Sequence, residues 1–125
     1  MKKIIHTENA PKAVGPYSQA VEINGMLFIS GQIAIDPVTK KVVDGGIIEQ
    51  TEQVMKNIAA ILNEAGYSFK DVVKSTCLLE NMGDFAPMNE VYAKYYPKDP
   101  PARAAYGVMK LPLGVMVGIE TIAVK

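Results

Sequence analysis

The order of local patterns predicts an α+β fold: a mixed, largely antiparallel sheet with two helices packed on one face. Three observations carry that expectation. Short β-rich runs fill the first third of the chain and flank an Asn24-Gly25 pair, a strong hairpin signal because both central residues of a type I′ turn need positive φ. Helical apolar spacing then occupies the span between Gly46 and Gly66 and recurs around Phe85 to Tyr95. Two strand-like runs close the chain. Strands, helix, strand, helix and two strands, opened by a hairpin, describe helices segregated to one face of a sheet.

The elements follow in order. Lys2 to His6 is short and β-rich, and Asn9 to Gly15 is a loop marked by Pro11 and Gly15. Tyr17 to Ile23 and Met26 to Ser30 form the hairpin arms. Gly31 marks a break or bulge, Ile33 to Ile35 is a short run, and Asp36-Pro37 starts a turn. Val42-Val43 reads as a small edge strand. In the first helix Ile47, Thr51, Val54, Met55, Ile58, Ile61, Leu62 and Ala65 make one stripe. Glu49 and Glu52 lie where the helix dipole favours anions, and Gly66 sits where a left-handed cap is expected. Val72 to Leu79 is a buried strand containing Cys77. Phe85, Met88, Val91, Tyr92 and Tyr95 form the second stripe, stopped by Pro97, Pro100 and Pro101. The last strands run from about Ala102 to Met109 and from Val115 to Val124, joined through Leu111-Pro112-Leu113-Gly114. One helical layer covers one sheet face, yet the other face also carries apolar residues. That face is expected to meet another subunit.

Composition narrows the function. The chain has 125 residues, 49% hydrophobic, with no internal repeat or low-complexity linker, so one domain over residues 1–125 is expected. Formal net charge is zero, without the basic excess that phosphate contacts favour, so no nucleic acid partner is expected. Cys77 is the only cysteine and His6 the only histidine. No internal disulfide or His/Cys ligand cluster is possible, so no metal and no cofactor is expected, and a reduced cytoplasmic setting fits. No apolar run approaches a membrane span, and Met1-Lys2-Lys3 leads into too short an apolar stretch for a signal peptide. Phosphate-loop glycine motifs are absent.

Three polar features stand out. Arg103, in Pro100-Pro101-Ala102-Arg103-Ala104-Ala105-Tyr106, opens a strand behind two stiff prolines. It is either a surface arginine or a planar fork for a carboxylate. Glu120 lies within the apolar run Val115 to Val124 and by alternation shares a face with Met116, Ile122 and Val124. It is either salt-bridged or exposed, or an acid/base group tuned by desolvation. Gly15-Pro16-Tyr17-Ser18-Gln19-Ala20 and Ile29-Ser30-Gly31-Gln32 serve either as turns or as a pocket wall of hydroxyls and backbone amides. Cys77, within a buried strand, reads as packing.

At these segments the chain closely resembles the RidA/YjgF family. The match takes in Gly15-Pro16-Tyr17-Ser18-Gln19-Ala20, Phe28-Ile29-Ser30-Gly31-Gln32, Asp84-Phe85, Met88-Asn89-Glu90-Val91-Tyr92, Pro101-Ala102-Arg103 and Ile119-Glu120, in order and almost end to end. The resemblance implies a chorismate-mutase-like fold and a homotrimer with clefts between subunits. It implies hydrolytic deamination of 2-imino acids and their enamine tautomers (2-aminoacrylate/2-iminopropanoate and 2-iminobutanoate) to 2-oxo acids and ammonia. Arg103 matches the arginine that grips the substrate carboxylate, and Glu120 the glutamate that positions or activates water. Tyr17, Ser30, Gly31 and Asn89 match cleft-lining positions, and the backbone of Ala105 a binding group. Many relatives carry cysteine at the position of Ala105, so only a backbone role survives there. Two other readings accompany the family: a non-catalytic carboxylate-ligand sensor or regulatory trimer, and an endoribonuclease or translation inhibitor.

Overall fold

Asn24 and Gly25 both take positive φ (51° and 76°), the geometry a tight hairpin turn demands, and join β2 (Ala20–Ile23) to β3 (Met26–Ile33) in antiparallel register. The computed structural model describes residues 1–125. β1 (Lys3–Ile5) adds to β2, and β6 (Val117–Val124) pairs antiparallel with both β3 and β4 (Val72–Leu79). β5 (Ala102–Gly107) pairs parallel with β4 and forms an edge, so the six-stranded order is β1-β2-β3-β6-β4-β5. The sheet is therefore mixed, with two helices against it, and the fold is α+β as expected.

Strand ends differ from the sequence expectations by one to three residues. Tyr17, Ser18 and Gln19 lie outside β2 instead of joining it, β3 continues through Gly31 to Ile33, and β5 stops at Gly107. Ile35 and Val42 make a single bridge. The irregular backbone here has a polar cause: Gln19 turns inward and its amide nitrogen donates to the Thr7 and Pro11 carbonyls (3.0 and 2.9 Å). A side chain that satisfies loop backbone groups frees the segment from sheet pairing.

α1 (Ile47–Ala65) begins where the Glu49 carboxylate accepts from the Gly46 amide at 2.8 Å and ends on left-handed Gly66. Its stripe buries Val54, Met55, Ile58, Ile61 and Leu62 against β3, β6 and α2 (Phe85–Tyr95). Each such side chain contributes roughly 1.5–3 kcal/mol by leaving water. Leu27, Leu79, Cys77 and Ile119 meet the stripe from the sheet, all essentially inaccessible. Asn57, buried in the same helix, donates through Nδ2 to the carbonyls of Ile33 and Ile35 (3.1 and 3.0 Å) and braces the end of β3. No helix is long and apolar enough to cross a membrane.

The opposite sheet face carries Ile4, Met26, Phe28, Val124 and Tyr106, each more than a third exposed. Nothing within the chain covers them. Cross-strand pairing sets Met26 beside Val124 and Phe28 beside Ile122, so the apolar residues are contiguous.

Candidate active site

Register decides where the polar candidates point. Thr76 faces Ala104 on one side and Glu120 on the other, whereas Ser75 faces Arg103 and Thr121. Directly paired residues share a face and neighbours along a strand alternate. Glu120 therefore projects from the open face, and Arg103 from the face that carries the helices. Two strand spacings also separate them, because β4 lies between β6 and β5. One chain cannot bring Arg103 and Glu120 to a common substrate.

The first group surrounds Glu120. Pairing between β3 and β6 slips between Ile29 and Gln32, which face Thr121 and Ile119. Ser30 and Gly31 thus oppose the single residue Glu120, a β-bulge of the kind that re-aims side chains beside functional sites. Ser30 is tied down twice: its amide donates to the Gln19 carbonyl at 2.9 Å and its hydroxyl to the Ser18 carbonyl at 2.6 Å. Those bonds draw the Tyr17 loop alongside. Tyr17 is half exposed, and its hydroxyl accepts from the Val14 amide at 3.4 Å. Glu120 is exposed and has no ion-pair partner in the chain. Burial on an apolar face, one of the sequence expectations, is not realised within the chain, because the face it projects from is uncovered. Lys74, Thr76, Phe28 and Ile122 line the 170 Å³ depression around it.

The second group surrounds Arg103, at the start of edge strand β5. Its Nη1 donates to Asn89 Oδ1 at 2.6 Å, and its guanidinium carbon stands 5.3 Å from the Phe85 ring centre and 5.0 Å from that of Tyr92. It meets no carboxylate. Arg103 lines a 430 Å³ cleft with Asn89, Tyr92, Tyr96 and Pro101. Ala105 lies two residues along the same edge strand, whose outer backbone groups have no strand partner. Behind it Cys77 is fully buried, and burial pushes its thiol from 9.0 up to about 11. A thiol so placed holds its proton near neutrality and is no nucleophile.

The seven sequence-derived candidates therefore split into Tyr17, Ser30, Gly31 and Glu120 on one side and Asn89, Arg103 and Ala105 on the other. The sequence places Phe85 and Tyr92 on a helical stripe and within family-matching segments, without a site role for either. Their 85, 89, 92 spacing with Asn89 was the available signal that all three share a helix face. His6 pairs with Glu8 at 3.0 Å, apart from both groups. No three of the His, Cys, Asp and Glu side chains gather as metal ligands.

A six-stranded mixed sheet backed by two helices defines a chorismate-mutase-like α+β protein. A family model described as Endoribonuclease L-PSP matches residues 7–125. A RutC family protein of Pyrococcus horikoshii is 56% identical over 125 residues, which are 100% of this chain and 99% of that one. The 2-iminobutanoate/2-iminopropanoate deaminase of mouse is 48% identical over 100% of this chain and 93% of its own. The crystal structure of E. coli TdcF with bound serine matches with a TM-score of 0.94 and 38% identity over 98% of each chain. The chain belongs to the RidA/YjgF family.

Proposed function

We propose that this protein hydrolyses 2-imino acids to 2-oxo acids and ammonia, in clefts formed where one copy's Arg103 edge meets the next copy's Glu120 face. The observation that carries the reading is the Arg103 guanidinium: it is held by Asn89 and two rings, it faces no carboxylate, and its side chain lines a cleft. A fork so oriented suits a substrate carboxylate, with each charge-assisted hydrogen bond adding about 1.5–3 kcal/mol. The full-length likeness to a mouse deaminase supports the same chemistry.

In the proposed reaction water adds to C2 of the iminium, forming a C–O bond while the C=N π pair moves to nitrogen. Glu120 accepts a proton from that water, and help of this kind typically adds about 10²–10⁴-fold. Glu120 then returns that proton to the carbinolamine nitrogen; a lone pair on the hydroxyl oxygen forms the C=O bond as the C–N bond breaks, ammonia leaves, the hydroxyl proton passes to Glu120, and the 2-oxo acid remains on Arg103. The iminium carbon is already electrophilic, so orientation by the Ser30–Gly31 bulge and the Ala105 backbone supplies much of the rate once Arg103 anchors the carboxylate. Three copies in a closed ring would cover the open apolar faces and complete three equivalent clefts. We place the enzyme in the cytoplasm and treat residues 1–125 as one domain.

Decay of an imine generated in place by a serine or threonine dehydratase tests the reading. Faster loss with matching ammonia release, cut at least about tenfold by Arg103→Ala, is expected. No acceleration by assembled wild-type protein would overturn it. The serine bound to E. coli TdcF favours a second reading, carboxylate-ligand binding without turnover. Under that reading Glu120→Gln leaves ligand affinity and function intact. The family description also names an endoribonuclease; RNA cleavage by this chain would show a steep salt dependence.

A further inference from the structure

Arginine has considerable rotamer freedom, and an exposed arginine on an edge strand ordinarily retains it. Arg103 is exposed, yet three side chains of α2 contact it: Phe85, Asn89 and Tyr92. They recur at i, i+4 and i+7 and so form one helical face. None carries a charge, so the cradle fixes the guanidinium without neutralising it. Tyr92 is itself fixed, because its ring packs 4.8 Å from Tyr96, which stands edge-on to Phe69 at 5.4 Å.

We propose that Phe85 and Tyr92 are positioning residues for Arg103, whose ring faces set the plane of the guanidinium so that its free donors meet a carboxylate as a fork. The inference rests on the deaminase reading only for the identity of the substrate; the anion-binding geometry stands apart from turnover. In Tyr92 the ring is the working part. Its hydroxyl is buried beside those of Ser75 and Tyr96, burial raises its pKa above the ordinary tyrosine value, and none of the three makes a hydrogen bond within the chain. A buried hydroxyl without a partner adds nothing that phenylalanine would lose.

The test uses the assembled protein and 2-oxobutanoate as the probe, with affinity read by calorimetry and imine hydrolysis read as separate kcat and KM. Phe85→Leu and Tyr92→Leu should each weaken 2-oxobutanoate by about two- to fivefold, roughly tenfold together. KM should rise by a similar factor while kcat changes little, because the carboxylate is held alike in ground and transition states. Tyr92→Phe should rescue affinity. The guanidinium protons of Arg103, shifted upfield by the rings in wild type, should move back in both leucine variants. In an Arg103→Ala background the leucine substitutions should leave residual kcat/KM where it was.

Equal losses in that background, or a Tyr92→Phe variant as weak as Tyr92→Leu, would overturn the proposal. Unchanged affinity in folded leucine variants would do the same. If Tyr92→Leu does not fold, Phe85→Leu at the half-buried start of α2 decides the matter through the same three readouts. If wild type binds 2-oxobutanoate with this pattern but hydrolyses no imine, the positioning role stands and the deaminase reading falls.

Discussion

Arg103 and Glu120 project from opposite faces of one sheet, with β4 between their strands, and this geometry makes a quantitative prediction. Arg103→Ala removes the fork, and Glu120→Gln removes the proton acceptor. Each homogeneous variant should fall at least about tenfold, since one lost charge-assisted bond alone is worth about 1.5–3 kcal/mol. Now let both variants be co-expressed in equal amounts and assemble at random. A cleft works only when the copy supplying arginine is the Glu120→Gln chain and the copy supplying glutamate is the Arg103→Ala chain. Each condition is met half the time, so about one quarter of the clefts of a closed ring are intact. Activity of the mixture should therefore recover to about a quarter of wild type, above either parent. The assay is imine decay with a dehydratase, on assemblies whose mixed composition is verified by mass. If the mixture performs no better than the average of its parents, the two groups do not act across an interface, and the two-half-site reasoning fails.

Further outcomes follow from the same geometry. Arg103→Lys keeps the charge but not the fork, and losing one charge-assisted bond should lower kcat/KM by about 10- to 100-fold; steady-state kinetics would reveal it. Asn57→Ala should cost about 1–3 kcal/mol for the Ile35 carbonyl it orphans, while the Ile33 carbonyl keeps the Ile35 amide at 2.8 Å, read by denaturant unfolding. Activity should fall with it, because β3 carries the bulge opposite Glu120. At alkaline pH the Cys77 thiol should stay protonated when folded, up to about 11, but ionise when unfolded above 9.0. The unfolded chain then binds fewer protons, so this stabilisation is complete below that window and is lost as pH rises through it. Unfolding free energies on either side of the window should differ more for wild type than for Cys77→Ala.

Much of this molecule is written in local pattern. Asn24-Gly25 announces its turn because few other dipeptides tolerate two positive φ values. The stripe from Ile47 to Leu62 and the cap at Gly66 declare α1, and the β-branched run around Cys77 declares β4. The family motifs single out Arg103 and Glu120, and residue chemistry gives each a capacity: a planar cation can take a carboxylate, and an anion can take a proton. The arrangement of those two residues is not local. It depends on β6 entering between β3 and β4, and on β5 pairing parallel at the edge. Periodicity reports which residues of a strand share a face, but it is silent on which strand lies beside which, because pairing is settled by packing between distant segments. Gly31 hints at a bulge; that the bulge opposes Glu120 is a fact of β3–β6 register. Phe85, Asn89 and Tyr92 read as one helical stripe, and only the docking of α2 beside β5 makes that stripe a cradle for Arg103. Sequence by itself determined the elements and the chemical capacity of each residue. Tertiary structure decided that the capacities are divided between two faces, because a side chain's face follows from its strand but its neighbours follow from the whole sheet.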